Sequence, residues 1–250
     1  MITQQEFIEL EGYFKKVEKA SIVPLYSNDK NLCVRLDGIK ISKKLLKDKL
    51  SNAKFNMAFT SAIKKIYYLL RNATNKENKN FFKLAFSISD EVSFILNNKT
   101  NYYKNKPLKI CTLLAGTLSS AMTIEMGGKA NHKNKFSKII AFDARPLILK
   151  NDKHEIDNYI RFRWLQQYRN LMCKVVRLKS PLSEKEIYET DLKDDITELS
   201  NTIEKYNLKT HLETALKGSV LFKPDKNRDF QSEQITSLNK LNLELKDIDV

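Results

Sequence analysis

The 250-residue chain carries 44 Lys+Arg against 30 Asp+Glu, a formal net charge of +14 at pH 7, with 42% hydrophobic and 30% charged residues. That apolar fraction excludes a disordered polyelectrolyte, and the length allows one large domain or a domain with an appendage. The cationic excess favours a polyanionic partner, because phosphate contacts release condensed counterions. Three scattered cysteines, Cys33, Cys111 and Cys173, read as reduced thiols of a cytoplasmic protein, and three histidines share no ligand spacing with them, so no zinc site is expected. Met1–Leu10 is polar and acidic, and no apolar run approaches ~20 residues, which predicts neither a secretory leader nor a membrane span.

In chain order, Phe7, Leu10, Tyr13, Phe14 and Val17 have helical spacing. Asn31–Gly38 reads as a strand ending in Asp37-Gly38, followed by a basic, irregular stretch to Lys54. Ala58, Phe59, Ala62, Ile63, Ile66, Tyr67 and Leu70 form one face of a helix. Phe82–Ser87 and Val92–Leu96 alternate at period two around the polar tripeptide Ser89-Asp90-Glu91, a hairpin with two adjacent carboxylates at its tip. A basic loop containing Lys104 then leads to Pro107, which suits the first turn of a helix flanked by Lys106 and Lys109, a ready anion site. Gly127-Gly128 reads as the cap ending that helix. Ile139–Leu149 is a strand whose Pro146 points to a sheet edge. His154–Val176 is a long helix carrying Arg161, Arg163, Arg169 and Lys174, with Trp164 a candidate stacking residue. Ser183-x-x-Glu186 is a capping-box pattern, and the tail from Phe230 reads as weakly anchored.

The order strand, helix, hairpin, helix, strand predicts an α+β fold of the polymerase or cyclase palm type: an antiparallel sheet with helices on one side, plus a C-terminal helical extension. The expected division is a palm-like catalytic domain over 1–180 and an extension over 181–250 that packs on it. Asp37 and Asp90, each at a strand end, with the Gly38 carbonyl, offer the few hard oxygen ligands that a pair of Mg²⁺ ions needs while leaving room for substrate phosphates. Glu91 is a further ligand or an orienting carboxylate. The basic face of the 154–177 segment, Arg163 and Arg169 included, is either a solvated surface or a phosphate-tracking one for RNA.

At these residues the sequence resembles the tRNA-histidine guanylyltransferase family, including its guanylyltransferase-like 3′-to-5′ (reverse) polymerases. The matching stretches are Val34-Arg35-Leu36-Asp37-Gly38, Ser89-Asp90-Glu91-x-Ser93-Phe94, Lys99-Thr100-Asn101-Tyr102-Tyr103-Lys104, Phe142-Asp143-Ala144-Arg145, Tyr159-Ile160-x-Phe162-Arg163 and Lys217-Gly218-Ser219-Val220-Leu221. The resemblance implies two metal ions on Asp37, Gly38 and Asp90, with Glu91 the essential carboxylate beside them. It implies nucleotide or triphosphate contacts from Ser89, Lys54, Asn56, Lys106 and Lys109, and RNA contacts from Lys104, Arg145, Arg163 and Arg169. It further implies ATP and GTP or other nucleoside triphosphates as substrates, tRNA as partner, and a homo-tetramer or dimer. In that family a tRNA 5′-monophosphate is activated with ATP, and a nucleotide is then added whose 3′-hydroxyl attacks the activated end.

The chain departs from the family pattern at Ile39, Ser42, Asn56 and Tyr168–Leu171, positions that bear on 5′-end activation and on dedicated G addition and leave the metal core intact. The expected activity is nucleotide addition to the 5′ end of tRNA or tRNA-like RNA, in tRNA repair or tRNA-histidine maturation. Two alternatives are a non-catalytic, divergent tRNA-binding member and a palm-type nucleotidyltransferase acting on free nucleotides. The cationic surface argues against the second, since a small-molecule enzyme needs none.

Overall fold

In the computed structural model, residues 4–20, 30–73, 82–97, 103, 106–127, 139–224 and 230–246 are described. Six strands form one antiparallel sheet: β1 (Lys30–Gly38), β2 (Phe82–Ile88), β3 (Glu91–Leu96), β4 (Phe142–Lys150), β5 (Val220–Pro224) and β6 (Phe230–Gln234), in the order β4-β1-β3-β2-β5-β6. Pro146 lies on β4, at the edge of the sheet, where its missing N–H costs no ladder bond. The α+β palm-type class expected from the sequence is the class observed.

Helices cover both faces of this sheet, where one covered face was expected. On one face, Leu32, Val34 and Leu36 of β1 and Val92, Phe94 and Leu96 of β3 pack against Phe59, Ile63 and Ile66 of α2 (Ala53–Ala73) and Ile110, Leu114 and Leu118 of α3 (Pro107–Glu125). On the other, Cys33, Ile95 and Leu147 pack against Phe7 and Phe14 of α1 (Gln4–Ala20) and Tyr159, Ile160 and Phe162 of α4 (Lys153–Lys179). Burial on both sides explains why Ala85 and Ser87, the nominally outward members of the β2 alternation, are buried as well. Alternation located the strands but could not reveal the second layer, because alanine and serine are small enough to lie under a helix.

α3 is long and apolar enough to cross a membrane by composition alone, although no unbroken apolar run of that length marks it in the sequence. Here its Ile110, Leu114, Leu118 and Met122 stripe is core, and Gly127 after its end takes the left-handed φ of 85° that favours glycine. α1 is tied to the start of α4 by Glu155, which accepts from Tyr13 Oη (2.7 Å) and from the Lys150 backbone N–H (3.0 Å).

The segment after residue 180 is more than a helical extension. The predicted capping box forms, Ser183 and Glu186 bonding reciprocally to start α5 (Glu184–Tyr188), and α6 (Ile196–Lys205) and α7 (Lys209–Ala215) follow on the α4 side. The chain then returns to the sheet: β5 pairs with β2, placing Phe222 opposite Ala85, and β6 pairs with β5. Leu241 and Leu245 of α8 (Leu238–Lys246) are fully buried in the α1/α4 core, so the tail expected to be weakly anchored is part of that core. Its i, i+4 leucine pair was the available signal, diluted by polar neighbours. Leu241→Ala is therefore expected to lower unfolding free energy by about 2–5 kcal/mol in a denaturant titration, as for any buried leucine; a loss under ~0.5 kcal/mol would restore the weakly anchored tail.

Candidate active site

Strand register sets the site. Asp37 on β1 lies directly opposite Glu91 on β3 and, on its other side, opposite Asp143 on β4. Leu36 belongs to the α2/α3 core, so by alternation Asp37 projects to the α4 face, and a row of three carboxylates crosses three adjacent strands. Like charges directly opposite repel. The outer two are compensated: Glu91 by Arg163 of α4, and Asp143 by Arg145 at 3.4 Å. The central one carries the consequence. Burial pushes the Asp37 carboxyl up from its ordinary 3.8 to about 6, and Glu91, Asp90 and Asp143 add to the shift, with Arg35 opposing it.

The hairpin tip is locked against the end of β1. β2 and β3 are joined by the two-residue turn Ser89-Asp90, with Ser89 at φ 58°, a left-handed value typical of tight hairpins. The Gly38 N–H donates to the Asp90 carbonyl at 3.1 Å, and Ser89 Oγ donates to Asp90 Oδ1 at 3.1 Å. Gly38 is required by packing: a Cβ there would overlap Ile41, whose Cγ1 would stand 2.8 Å away. Two segments separated by some fifty residues of sequence thus place Asp37 and Asp90 together.

Glu91 is held from α4. Arg163 Nε donates to Glu91 Oε1 at 2.8 Å, Arg163 Nη2 donates to Oε2, and Gln167 Nε2 donates to Oε2 at 3.3 Å. Both charged partners are 4% exposed. This overturns Arg163 as an RNA contact: it is a buried counter-ion, and Glu91 is oriented by it. Arg169 is corrected likewise, being 14% exposed, 3.7 Å from Asp194 and over the Phe7 ring. Trp164 is core, stacked on Tyr168 at 4.5 Å. Periodicity placed these arginines on a helix but could not tell which face meets a carboxylate on another strand. Asp143 and Gln167 were missed for the same reason.

On the opposite, α2 face a groove of about 420 Å³ opens, lined among others by Asn56, Phe59, Ser87, Lys217, Gly218 and Val220. Asn56 Nδ2 donates to Ser51 Oγ (3.2 Å), and a Cβ at Gly218 would come within 3.1 Å of Asn56 Oδ1. The Asn56 and Lys217-Gly218 stretches, more than 160 residues apart, share this wall, while Lys54 is exposed on the first turn of α2. Arg145 is exposed beside the carboxylate row. Lys106 and Lys109 are exposed but are not brought to the carboxylates of their own chain. Ser119 Oγ accepts from the Phe142 N–H (3.1 Å), which fixes the later part of α3 beside the start of β4. At 1.5 Å per residue those lysines lie ~15–20 Å back along the helix. The chain leaves the hairpin tip along β3, so the next helix must begin at the far end of the sheet. Lys104 lies outside the described residues.

A sequence profile of the tRNAHis guanylyltransferase (Thg1) family matches residues 11–150, more than half of the chain. The chain belongs to the tRNAHis guanylyltransferase family. It is by that membership a nucleotidyltransferase. Among solved structures, a bacterial tRNAHis guanylyltransferase (Thg1)-like protein in complex with ATP is 19% identical, with a TM-score of 0.60 over 96% of this chain and 100% of that one. A bacterial Thg1-like protein in complex with GTP is 18% identical (TM-score 0.57, 94% and 96%). The tRNAHis guanylyltransferase of Saccharomyces cerevisiae is also 18% identical (TM-score 0.59, 92% and 98%). At such identities these likenesses concern the fold. No curated protein sequence matches.

For this guanylyltransferase-family chain, the oxygen donors suit a hard cation. Among the described residues no three His, Cys, Asp or Glu side chains converge into a ready-made metal cluster. A magnesium ion does not need one, since it binds through one or two carboxylates and completes its shell with water and phosphate. Burial is the main cause of the raised Asp37 carboxyl, and the part that Glu91, Asp90 and Asp143 add is negative charge that a divalent cation would offset.

Two outcomes follow from this geometry. Arg163→Ala strands a buried carboxylate and should cost about 3–5 kcal/mol in chemical denaturation; an unchanged midpoint would mean that Glu91 does not need its partner. Because the Asp37 pKa is raised on folding, its favourable contribution is present below pH ~3.8, fades as pH rises toward about 6, and is lost above. In metal-free buffer at pH 7.5, Asp37→Asn should therefore raise the melting temperature, with the gain vanishing below pH ~4. A melting temperature lowered at pH 7.5 would contradict the crowding of the carboxylate row.

Proposed function

We propose that this chain adds nucleotides in the 3′-to-5′ direction to the 5′ end of tRNA or a tRNA-like RNA, using ATP or GTP to activate that end. The observation that carries the reading is the juxtaposition of Asp37 and Asp90 through the Gly38–Asp90 backbone bond, within a row of carboxylates whose outer members are already neutralised by arginines. Phosphoryl transfer on nucleotides calls for positioning and charge neutralisation more than for a protein nucleophile.

Asp37, Asp90 and the Gly38 carbonyl would hold Mg²⁺, two ions per site, and the metal would supply activation of the attacking 3′-hydroxyl and neutralisation of the phosphates. The chain's own residues do the rest. Arg163 and Gln167 keep Glu91 fixed beside Asp37, so that its charge cannot swing into the substrate position. The left-handed Ser89 turn presents a hydroxyl at the rim of the site for a nucleotide. The groove on the α2 face offers an apolar shelf (Phe59, Val220), the Asn56 amide and the Lys217 ammonium, a combination suited to a nucleobase and its phosphates. Thg1-like relatives in complex with ATP in one case and GTP in another support nucleotides as substrates of this chain. Exposed Arg145 and the net charge of +14 favour RNA over free nucleotides as the second substrate. We further place the protein in the cytoplasm, as a homo-tetramer or dimer.

The test is a 5′-extension assay with Mg²⁺, ATP, all four nucleoside triphosphates and 5′-monophosphorylated tRNAs, intact and 5′-truncated. Templated extension of truncated tRNA is the expected result. Asp37→Ala and Asp90→Ala should each lower the rate by at least ~100-fold, the scale on which single preorganised electrostatic groups act, with RNA binding retained. Tight tRNA binding with no addition by the wild-type chain would overturn the enzymatic reading in favour of a binding protein.

A further inference from the structure

We propose that Lys174 is an anion-binding residue of the active-site cleft, taking a phosphate group of the nucleoside triphosphate or of the RNA 5′ end; this rests on the function proposed above and deepens it. α4 presents Arg163, Gln167, Asn170, Lys174 and Arg177 at i, i+4, i+7, i+11 and i+14, a single stripe of the helix. The first members are committed to Glu91, with Asn170 Nδ2 donating in turn to Gln167 Oε1 at 3.5 Å. The last is committed too: Arg177 Nη2 donates to the Lys47 carbonyl at 2.5 Å, and Nη1 lies 3.5 Å from Glu184 and 3.9 Å from Asp48. Arg177 thereby holds the Lys47–Asp48 segment, which follows the π-helical turn Ser42–Leu46 beyond Gly38, against α4.

Lys174 sits between these commitments on α4, about two turns beyond Gln167, which reaches Glu91, and about one turn before Arg177, which reaches the Lys47–Asp48 segment. It is half-buried, and among the described residues no hydrogen bond or close ion pair engages its ammonium. Burial pushes its pKa below the ordinary 10.5, while Asp90 and Asp48 pull it back up and Arg177 opposes them. A partly desolvated ammonium without a hydrogen-bond partner is costly. A phosphate group brought to Asp90 for transfer would satisfy it, and the ammonium would give that phosphate a fixed positive counter-charge. Among the basic residues of α4, Arg163, Arg169 and Arg177 are occupied by Glu91, Asp194, and Asp48 with Glu184, whereas Lys174 lies on the stripe that meets Glu91 with no such partner among the described residues.

The experiment titrates the full chain with inorganic tripolyphosphate by calorimetry, comparing wild type, Lys174→Gln, Lys174→Arg and Lys179→Gln, the last on the exposed end of the same helix. One charge-assisted contact corresponds to roughly 10-fold in affinity. Lys174→Gln should weaken tripolyphosphate binding by about that factor without lowering the melting temperature, Lys174→Arg should restore most of it, and Lys179→Gln should leave it unchanged. In the extension assay, a KM rise for nucleotide assigns the phosphate to the triphosphate, and a rise for 5′-phosphorylated RNA assigns it to the RNA end. Equal weakening by Lys179→Gln, or unchanged binding in Lys174→Gln, would overturn the proposal. A wild type that binds tripolyphosphate with this Lys174 dependence yet extends no RNA would keep the anion site and reject the 5′-addition reading.

Discussion

The pairing of Glu91 with Arg163 is the constraint on which the rest of the site depends. Antiparallel register forces Asp143, Asp37 and Glu91 into line across three strands, and such a row would be prohibitive if all three charges were left uncompensated. A bidentate arginine from the helix above removes one charge from the contest and fixes that carboxylate in place. It also sets the height and rotation of α4 over the sheet, with Tyr159 meeting Ser93 at 2.9 Å one turn earlier. A buried ion pair of this kind contributes little net stability compared with an apolar pair, but breaking it is expensive, so it acts as a registration device.

That registration leaves Asp37 in the middle with a carboxyl titrating near 6. The protein therefore tolerates a carboxylate whose ionisation is opposed by burial and by its like-charged neighbours, a cost that a bound cation would relieve. On the function proposed above, stability and function pull in opposite directions at this one residue, a common arrangement where charge must be held ready for a ligand. The backbone bond from Gly38 to Asp90 makes that cost unavoidable, because it keeps the hairpin tip from drifting away from β1.

The two faces of the sheet divide the work. The α4 face carries the carboxylates and their counter-ions, and the α2 face carries a groove whose wall joins Asn56 to Lys217-Gly218. The return of the chain into β5 is what completes that wall. The segment after residue 180 thus contributes to the sheet and to the groove, as well as supplying α5, α6 and α7 on the α4 side. Lys106 and Lys109, by contrast, sit at the far end of the sheet, where any phosphate they meet belongs to a distant part of a substrate or to another chain.

Local chemistry in the sequence by itself determined the strands, the hairpin turn, the helix starts at Pro107 and Ser183, and the identity of Asp37, Gly38 and Asp90 as strand-end groups. Each of these follows from period-two or 3.6 alternation, from capping chemistry, or from the backbone demands of a tight turn, all of which act over a few neighbouring residues. Tertiary structure alone decided the register that opposes Asp143 to Asp37, the choice of Arg163 rather than another basic residue of α4 as the partner of Glu91, the second helical layer, and the entry of β5 into the sheet. Those features are set by contacts between residues tens to well over a hundred positions apart. A helical stripe of arginines reads the same whether it meets a carboxylate, an RNA or water, and only the packing of α4 on the sheet selects among the three.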